Sequence, residues 1–338
     1  MFLLEYFSSK DNRTKQVELN SIIMLIAKGV SMFIQLLLVP LTIGYVSSAT
    51  YGIWLTLSSV VAWVALFDIG INNGLRNRYA ECKAKGDIIK AQKYVSTTYF
   101  LLSIIFLPLL LILLIINAFI NWSNLLNIPE IDNIQLSTSL LIVYFCLNFI
   151  FSTVNIVLTA EMKPAIPSIF ALIQQVMIYI IIWLLTCFTE GNLLKLCIAL
   201  TIPPLIIIIL SNVYVFRAKL ESVKPKFSCI DLKLSKSILS IGYKFFIIQI
   251  AVVVLFQTSN FVMIKYYGAD EVTQYNIAYK YFFILNTIFS ILISPLWVAV
   301  TDSKAKGDYQ WIQRTIAKYF RLSVVFMVIG LFMLTSVH

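Results

Sequence analysis

Apolar residues fall along this chain in blocks of about 20, the length a helix needs to cross a bilayer core, with short polar stretches between them. The pattern predicts nine membrane-spanning helices, over residues 21–46, 51–69, 94–118, 137–160, 166–188, 194–216, 241–264, 273–300 and 317–337. Repeated uncharged runs of this length do not belong to a soluble domain, so the expected class is an all-α polytopic membrane protein. The polar run 8–20 (SSKDNRTKQVELN) separates Met1–Phe7 from the first block, and the beginning therefore does not read as a cleaved signal peptide. The two largest polar segments, 70–93 and 217–240, are basic and are expected to form short amphipathic helices on the membrane surface.

Composition agrees with the pattern: 60% of residues are hydrophobic and 12% charged, with a mean hydropathy of +0.89. The distribution of charge adds an orientation. If the N-terminus is cytoplasmic, 21 of the 26 Lys and Arg residues fall on inner segments. Outer segments receive Lys195 and Lys265, and Lys28, Lys244 and Lys280 lie inside spans. That asymmetry is the positive-inside pattern. The net charge of +10 is thus explained by topology and contact with anionic lipid, which argues against a nucleic-acid partner.

Several chemistries have no foothold. Cys82, Cys146, Cys187, Cys197 and Cys229 show no metal-binding spacing, the single histidine is His338, and no Gly-rich phosphate loop is present. No metal, cofactor or enzymatic function is expected. The longest outer connection, 119–136, is too short for a catalytic domain, which disfavours a polysaccharide polymerase or glycosyltransferase.

Charges within the spans are the candidates for function, because each is costly in hydrocarbon unless it meets water or a partner. Lys28 (in AKGVSMFIQ) and Lys280 (in YNIAYKYFF) read either as cations facing a central cavity or as snorkelling lysines. Lys244 sits at a span edge and fits snorkelling better. Asp68 closes the second span in LFDIG, as a partner for Arg76 or Arg78 or as an ion-coupling site. Pro40, Pro108, Pro203, Pro204 and Pro295 lie within spans and favour kinks. Gln35, Asn148, Asn155, Gln174, Gln175, Gln249, Gln257 and Asn260 either line a sugar-accommodating cavity or bond neighbouring helices.

The pentapeptide KAKGD occurs at Lys83–Asp87 and again at Lys304–Asp308, 221 positions apart, each time between two apolar runs. The recurrence points to a duplicated helical bundle with parallel halves, and the turn itself reads as solvated. A more specific signal lies in Leu66–Tyr99, LFDIGINNGLRNRYAECKAKGDIIKAQKYVSTTY. Phe67, Asp68 and Gly70, then Asn73–Asn77 (NGLRN), Ala80-Glu81, Gly86-Asp87 and Tyr94–Thr97 (YVST), with Tyr51-Gly52 upstream, resemble the segment joining the second and third spans of Wzx-type polysaccharide flippases. These belong to the multidrug/oligosaccharidyl-lipid/polysaccharide exporter superfamily.

The resemblance implies a MATE-like two-lobe helical bundle that works by alternating access in the bacterial inner (cytoplasmic) membrane. Its substrate would be an oligosaccharide linked through diphosphate to a polyprenyl lipid, for O-antigen or related surface polysaccharide. A polysaccharide polymerase and chain-length machinery are the implied protein partners. Such a head group cannot cross about 30 Å of hydrocarbon unaided. Lys28, Lys280, Arg76 and Arg78 are the expected substrate-binding cations. The expected organisation is a cytoplasmic segment 1–20, a six-helix lobe 21–216, a linker 217–240 and a second lobe 241–338. Two full lobes at this repeat length need about 440 residues and twelve spans, so about nine of twelve helices are expected here and the chain reads as C-terminally truncated. The alternatives are a multidrug or metabolite exporter of the same superfamily, or an inactive remnant.

Overall fold

A computed structural model describes residues 12–68, 70–161, 163–305 and 309–335. Among them the regular elements are all helical. In chain order they are α1 (Asn12–Val46), α2 (Ser48–Val61, extended by a 3-10 segment Ala62–Asp68), α3 (Ile71–Ala84), α4 (Ile88–Phe119), α5 (Trp122–Leu126), α6 (Ile134–Phe151) and α7 (Thr153–Ala160). There follow α8 (Ala165–Phe188), α9 (Leu193–Tyr214), α10 (Ser235–Tyr266), α11 (Ala269–Ala305) and α12 (Tyr309–Thr335).

Among the described residues, seven helical segments are long and apolar enough to cross a membrane: Ile22–Val46, Ser48–Asp68, Ile88–Phe119, Ile134–Ala160, Ala165–Phe188, Leu193–Lys219 and Ile312–Leu334. Each coincides with a predicted span. The predicted spans 241–264 and 273–300 fall within α10 and α11, of 32 and 37 residues. Among the described residues, Ile250–Tyr266 of α10 is a further, shorter apolar stretch. Residues 1–11, the Lys244 and Gln249 side chains and residues 306–308 of the second KAKGD copy lie outside the described residues.

Contacts divide the chain into two compact units, Met1–Thr273 and Gln274–His338. In the first unit α8 packs along α1 and α9, α6 packs against α4 and α9, and α10 lies on α2 and α3. The core is apolar and aromatic; Phe106 of α4 stacks on Phe149 of α6 with ring centroids 5.0 Å apart. Prolines 40, 108, 203 and 204 all sit inside helices, as expected. In the second unit Phe289 of α11 packs on Phe326 of α12.

The basic segment 70–93 does hold an amphipathic helix. Ile71, Leu75, Tyr79 and Cys82 of α3 are buried at helical spacing, while Arg76, Asn77, Ala80 and Glu81 are exposed. The first KAKGD copy ends that helix and starts the next. Gly86 takes a left-handed conformation (φ 73°), and the N–H groups of Gly86 and Asp87 donate to the carbonyls of Lys83 and Cys82. Asp87 then caps α4, its carboxylate accepting from the Lys90 N–H at 3.0 Å. The described helices flanking the second copy end at Ala305 and begin at Tyr309, the equivalents of Ala84 and Ile88.

The segment 217–240 differs from expectation. In place of amphipathic helices it holds a π turn Val215–Lys219 and three single 3-10 turns before α10 begins at Ser235. Pro225 explains part of this, since it lacks an N–H and forces Lys224 into an extended conformation (ψ 131°). The rest comes from hydrogen bonds that α4 makes to the segment's backbone.

Candidate functional site at the basic end

One end of the first unit gathers the end of α2, all of α3, the start of α4, the end of α7, and the segment leading into α10. The motif Leu66–Tyr99 supplies most of the contacts. Gly70 precedes α3 with φ 71°, and a Cβ there would lie 2.1 Å from the Gly242 carbonyl oxygen of α10. One turn later, a Cβ on Gly74 would lie 2.2 Å from the Ile238 carbonyl oxygen. The glycines of FD-x-G and NGLRN therefore let α3 press backbone to backbone on α10.

Polar side chains complete the clasp. The Tyr79 hydroxyl donates to Glu161 Oε1 at 2.6 Å, and the Lys83 ammonium pairs with Glu161 Oε2. Burial, reinforced by the hydrogen bond to Glu161 and its charge, raises the Tyr79 phenol well above its ordinary range. Burial likewise raises the Cys82 thiol. Lys83, the first lysine of the repeat, is thus a structural partner, and both it and Lys85 are exposed. Asp68, buried at the end of α2, accepts from Asn72 Nδ2 at 3.2 Å. Asn72 in turn accepts from Thr153 at 3.2 Å. Asp68 is therefore joined to an amide, while Arg78 pairs with Glu81 at 2.8 Å and reaches the Ser237 carbonyl at 3.4 Å.

YVST fastens the segment after α9. Tyr94 meets Ser237 at 3.3 Å, Val95 is buried, and Ser96 accepts from the Lys226 N–H at 3.1 Å. Thr97 exchanges bonds with the Asp231 backbone, at 3.0 and 3.3 Å. Gln92 adds a bond to the Lys224 carbonyl at 2.8 Å.

The candidate cations are placed differently. Arg76 is exposed on the outer face of α3, Arg78 is half-buried beside it, and Lys28 is exposed on α1. Lys280 is half-buried on α11 in the second unit. Of the polar candidates, Asn260 donates to Ser59 at 2.7 Å in a buried contact, and Gln174 donates to the Pro204 carbonyl at 3.4 Å; both join helices. Sequence reasoning did not single out Tyr79 or Glu161 for this site. Tyr79 falls in register with the apolar face of α3, and a buried phenol needs an acceptor. Nothing local identifies that acceptor, because Glu161 lies 82 positions away.

Comparison with known proteins places these features in a family. The chain is 20% identical over 319 residues, 90% of its length and 70% of the relative's, to the "Putative O-antigen export protein" of Yersinia pseudotuberculosis. Its fold is similar to an inward-facing multidrug-resistance MATE-family transporter of the MOP superfamily. That likeness has a TM-score of 0.57 and 12% identity over 85% of this chain. The chain spans 63% of the length of that transporter. Residues 18–298 match the family described as polysaccharide biosynthesis protein, and the chain, an all-helical membrane protein of MATE-like fold, belongs to that family.

Proposed function

We propose that this chain moves a polyprenyl-diphosphate-linked oligosaccharide from the cytoplasmic to the outer leaflet of the bacterial inner membrane, by alternating access, in the assembly of a surface polysaccharide. The observation that carries the reading is the family match over residues 18–298, together with a relative named for O-antigen export. The charge pattern supports it: basic residues crowd one end of the first unit, which the positive-inside pattern assigns to the cytoplasm along with the N-terminus. Residues 21–216 form the first lobe in this reading, 217–240 the linker, and 241–338 belong to the second. A surface polysaccharide polymerase and its chain-length machinery are the protein partners.

The chemistry required of the site is modest. A diphosphate and its sugars must lose bulk water without being left unpaired, while the prenyl chain stays in lipid. Lys28, Lys280, Arg76 and Arg78 supply cations for the diphosphate, and Arg76 and Lys28 are favoured by their exposed side chains. Asp68, bonded to Asn72, has a positioning role at the end of α2.

Proteoliposomes holding the purified chain and a fluorescent polyprenyl-diphosphate oligosaccharide test the reading. Accessibility of the sugar to an added lectin should rise with time, and only in vesicles that contain the protein. Movement of an organic cation such as tetraphenylphosphonium without movement of the lipid-linked sugar overturns it in favour of a drug or metabolite exporter.

A further inference from the structure

A groove of about 520 Å³ lies between α4 and the segment 225–230, away from the clasp on α10. Tyr99, Ile104 and Leu107 form its wall on α4, and Pro225, Phe227 and Ile230 form the facing wall. Ile104 and Leu107 are half exposed on a helix that crosses the membrane, and Phe227 is 90% exposed. The facing wall is held in place: Gln92, Ser96 and Thr97 bond the backbone at Lys224, Lys226 and Asp231. The groove is therefore a built feature of the basic end, with its volume in the range of about 300–1,000 Å³ typical of ligand sites.

Its polar mouth fixes the occupant. Apolar walls give one lipid chain no advantage over another, because bilayer tails are as apolar as the groove. Selectivity must come from the head-group end. There Lys226 lines the groove and Lys224 is exposed one position before Pro225, with Arg217 and Lys219 exposed upstream. The acidic groups nearby are Glu221, which is exposed, and Asp231, which faces Lys93 at 3.9 Å. The mouth is basic on balance, and an anion fits it.

We infer that this groove is a binding site for an anionic phospholipid, with one acyl chain lying between α4 and the 225–230 segment and the head-group phosphate at Lys224 and Lys226. None of the proposed cations Lys28, Arg76, Arg78 and Lys280 lines the groove. It does not depend on what the chain transports.

Native mass spectrometry of the purified chain, with equimolar phosphatidylglycerol and phosphatidylcholine in the detergent, tests the assignment. One phosphatidylglycerol should be retained over phosphatidylcholine. The preference should fall about fivefold for each of Lys224→Ala and Lys226→Ala, as expected for loss of one membrane-facing cation. Ile104→Trp fills the groove at a half-exposed position that tolerates bulk, and should abolish the adduct with the melting temperature unchanged. Lys85→Ala with Lys90→Ala removes two exposed charges elsewhere, more than either single variant, and should leave the adduct intact. Equal retention of both lipids, survival of the adduct in Ile104→Trp, or displacement of phosphatidylglycerol by an equimolar polyprenyl phosphate overturns the assignment.

Discussion

The two ends of the first unit are held together by different physics. At the basic end, charged and hydroxyl side chains reach across large sequence separations: Tyr79 and Lys83 to Glu161, Arg78 to Ser237, Ser96 and Thr97 to the segment at 226–231. At the opposite end the described ties between distant residues are uncharged, and the Lys195 ammonium makes a local bond to the Glu190 carbonyl at 2.8 Å. Tyr45 meets Thr189 at 2.8 Å, Thr273 donates to the Ser48 carbonyl at 2.8 Å, and Trp122 donates to Asn117 at 2.7 Å. Backbone contact matters there too, since a Cβ on Gly52 would lie 1.9 Å from the Ala269 carbonyl oxygen and one on Gly191 would lie 1.8 Å from that of Tyr45. The difference locates the most recognisable motif. Leu66–Tyr99 is distinctive because it combines close-packing glycines with polar fasteners, and both serve architecture. The cations proposed for substrate are the residues the clasp does not use, or uses only at its rim.

Disrupting backbone contact gives the largest expected effect, and at both ends. Gly74→Leu at the basic end and Gly52→Leu at the other should each cost about 3 kcal/mol, seen as loss of monodisperse folded protein in gel filtration. Gly44→Leu, where nothing lies within 4 Å of the added Cβ, is the control and should change stability by roughly 0.5 kcal/mol or less. Removing a charged hub separates the ends. Glu161→Ala strips the acceptor from Tyr79 and the partner from Lys83 and should cost about 2 kcal/mol. Thr189→Val removes a neutral, part-buried contact and should cost no more than about 1 kcal/mol; melting in detergent compares the two.

A smaller, local effect is expected where YVST holds the segment after α9. Ser96→Ala combined with Thr97→Val should speed amide exchange at Lys226 and Asp231 while leaving α6 and α9 unchanged, measured by hydrogen–deuterium exchange. The smallest effect is a pH dependence. The Tyr79 phenol is raised in the fold above its ordinary value of 10.0, so its neutral form is favoured. Its stabilising contribution is complete below about pH 10 and is lost as pH rises further. The melting temperature of wild type should fall more steeply above pH 10 than that of Tyr79→Phe, with the two curves parallel at neutral pH.

Much of the fold was legible in the chain because a bilayer leaves few choices. Apolar blocks about 20 residues long can only be helices, and the seven described segments long and apolar enough to cross a membrane coincide with predicted ones. The turn at Lys83–Asp87 was legible for a local reason, since a glycine followed by an aspartate stops one helix and caps the next. What the sequence concealed were contacts between distant residues. Asp68 has two arginines within a few turns, yet its bond is to Asn72, one helical turn on. Glu161 lies far from Tyr79 and Lys83 in sequence, and the fold brings all three together. The 217–240 segment has the composition of a surface helix, but Pro225 and the hydroxyls of α4 give its backbone other partners.

The most direct test of the claim that exposed cations, and not the clasp, handle the anionic head group is the rate of lipid-linked oligosaccharide movement in proteoliposomes for wild type, Lys28→Ala and Arg76→Ala. Rates should be lower by about tenfold in each variant, equivalent to about 1.4 kcal/mol, with melting temperatures unchanged. Wild-type rates in both variants, at equal amounts of folded protein, contradict it.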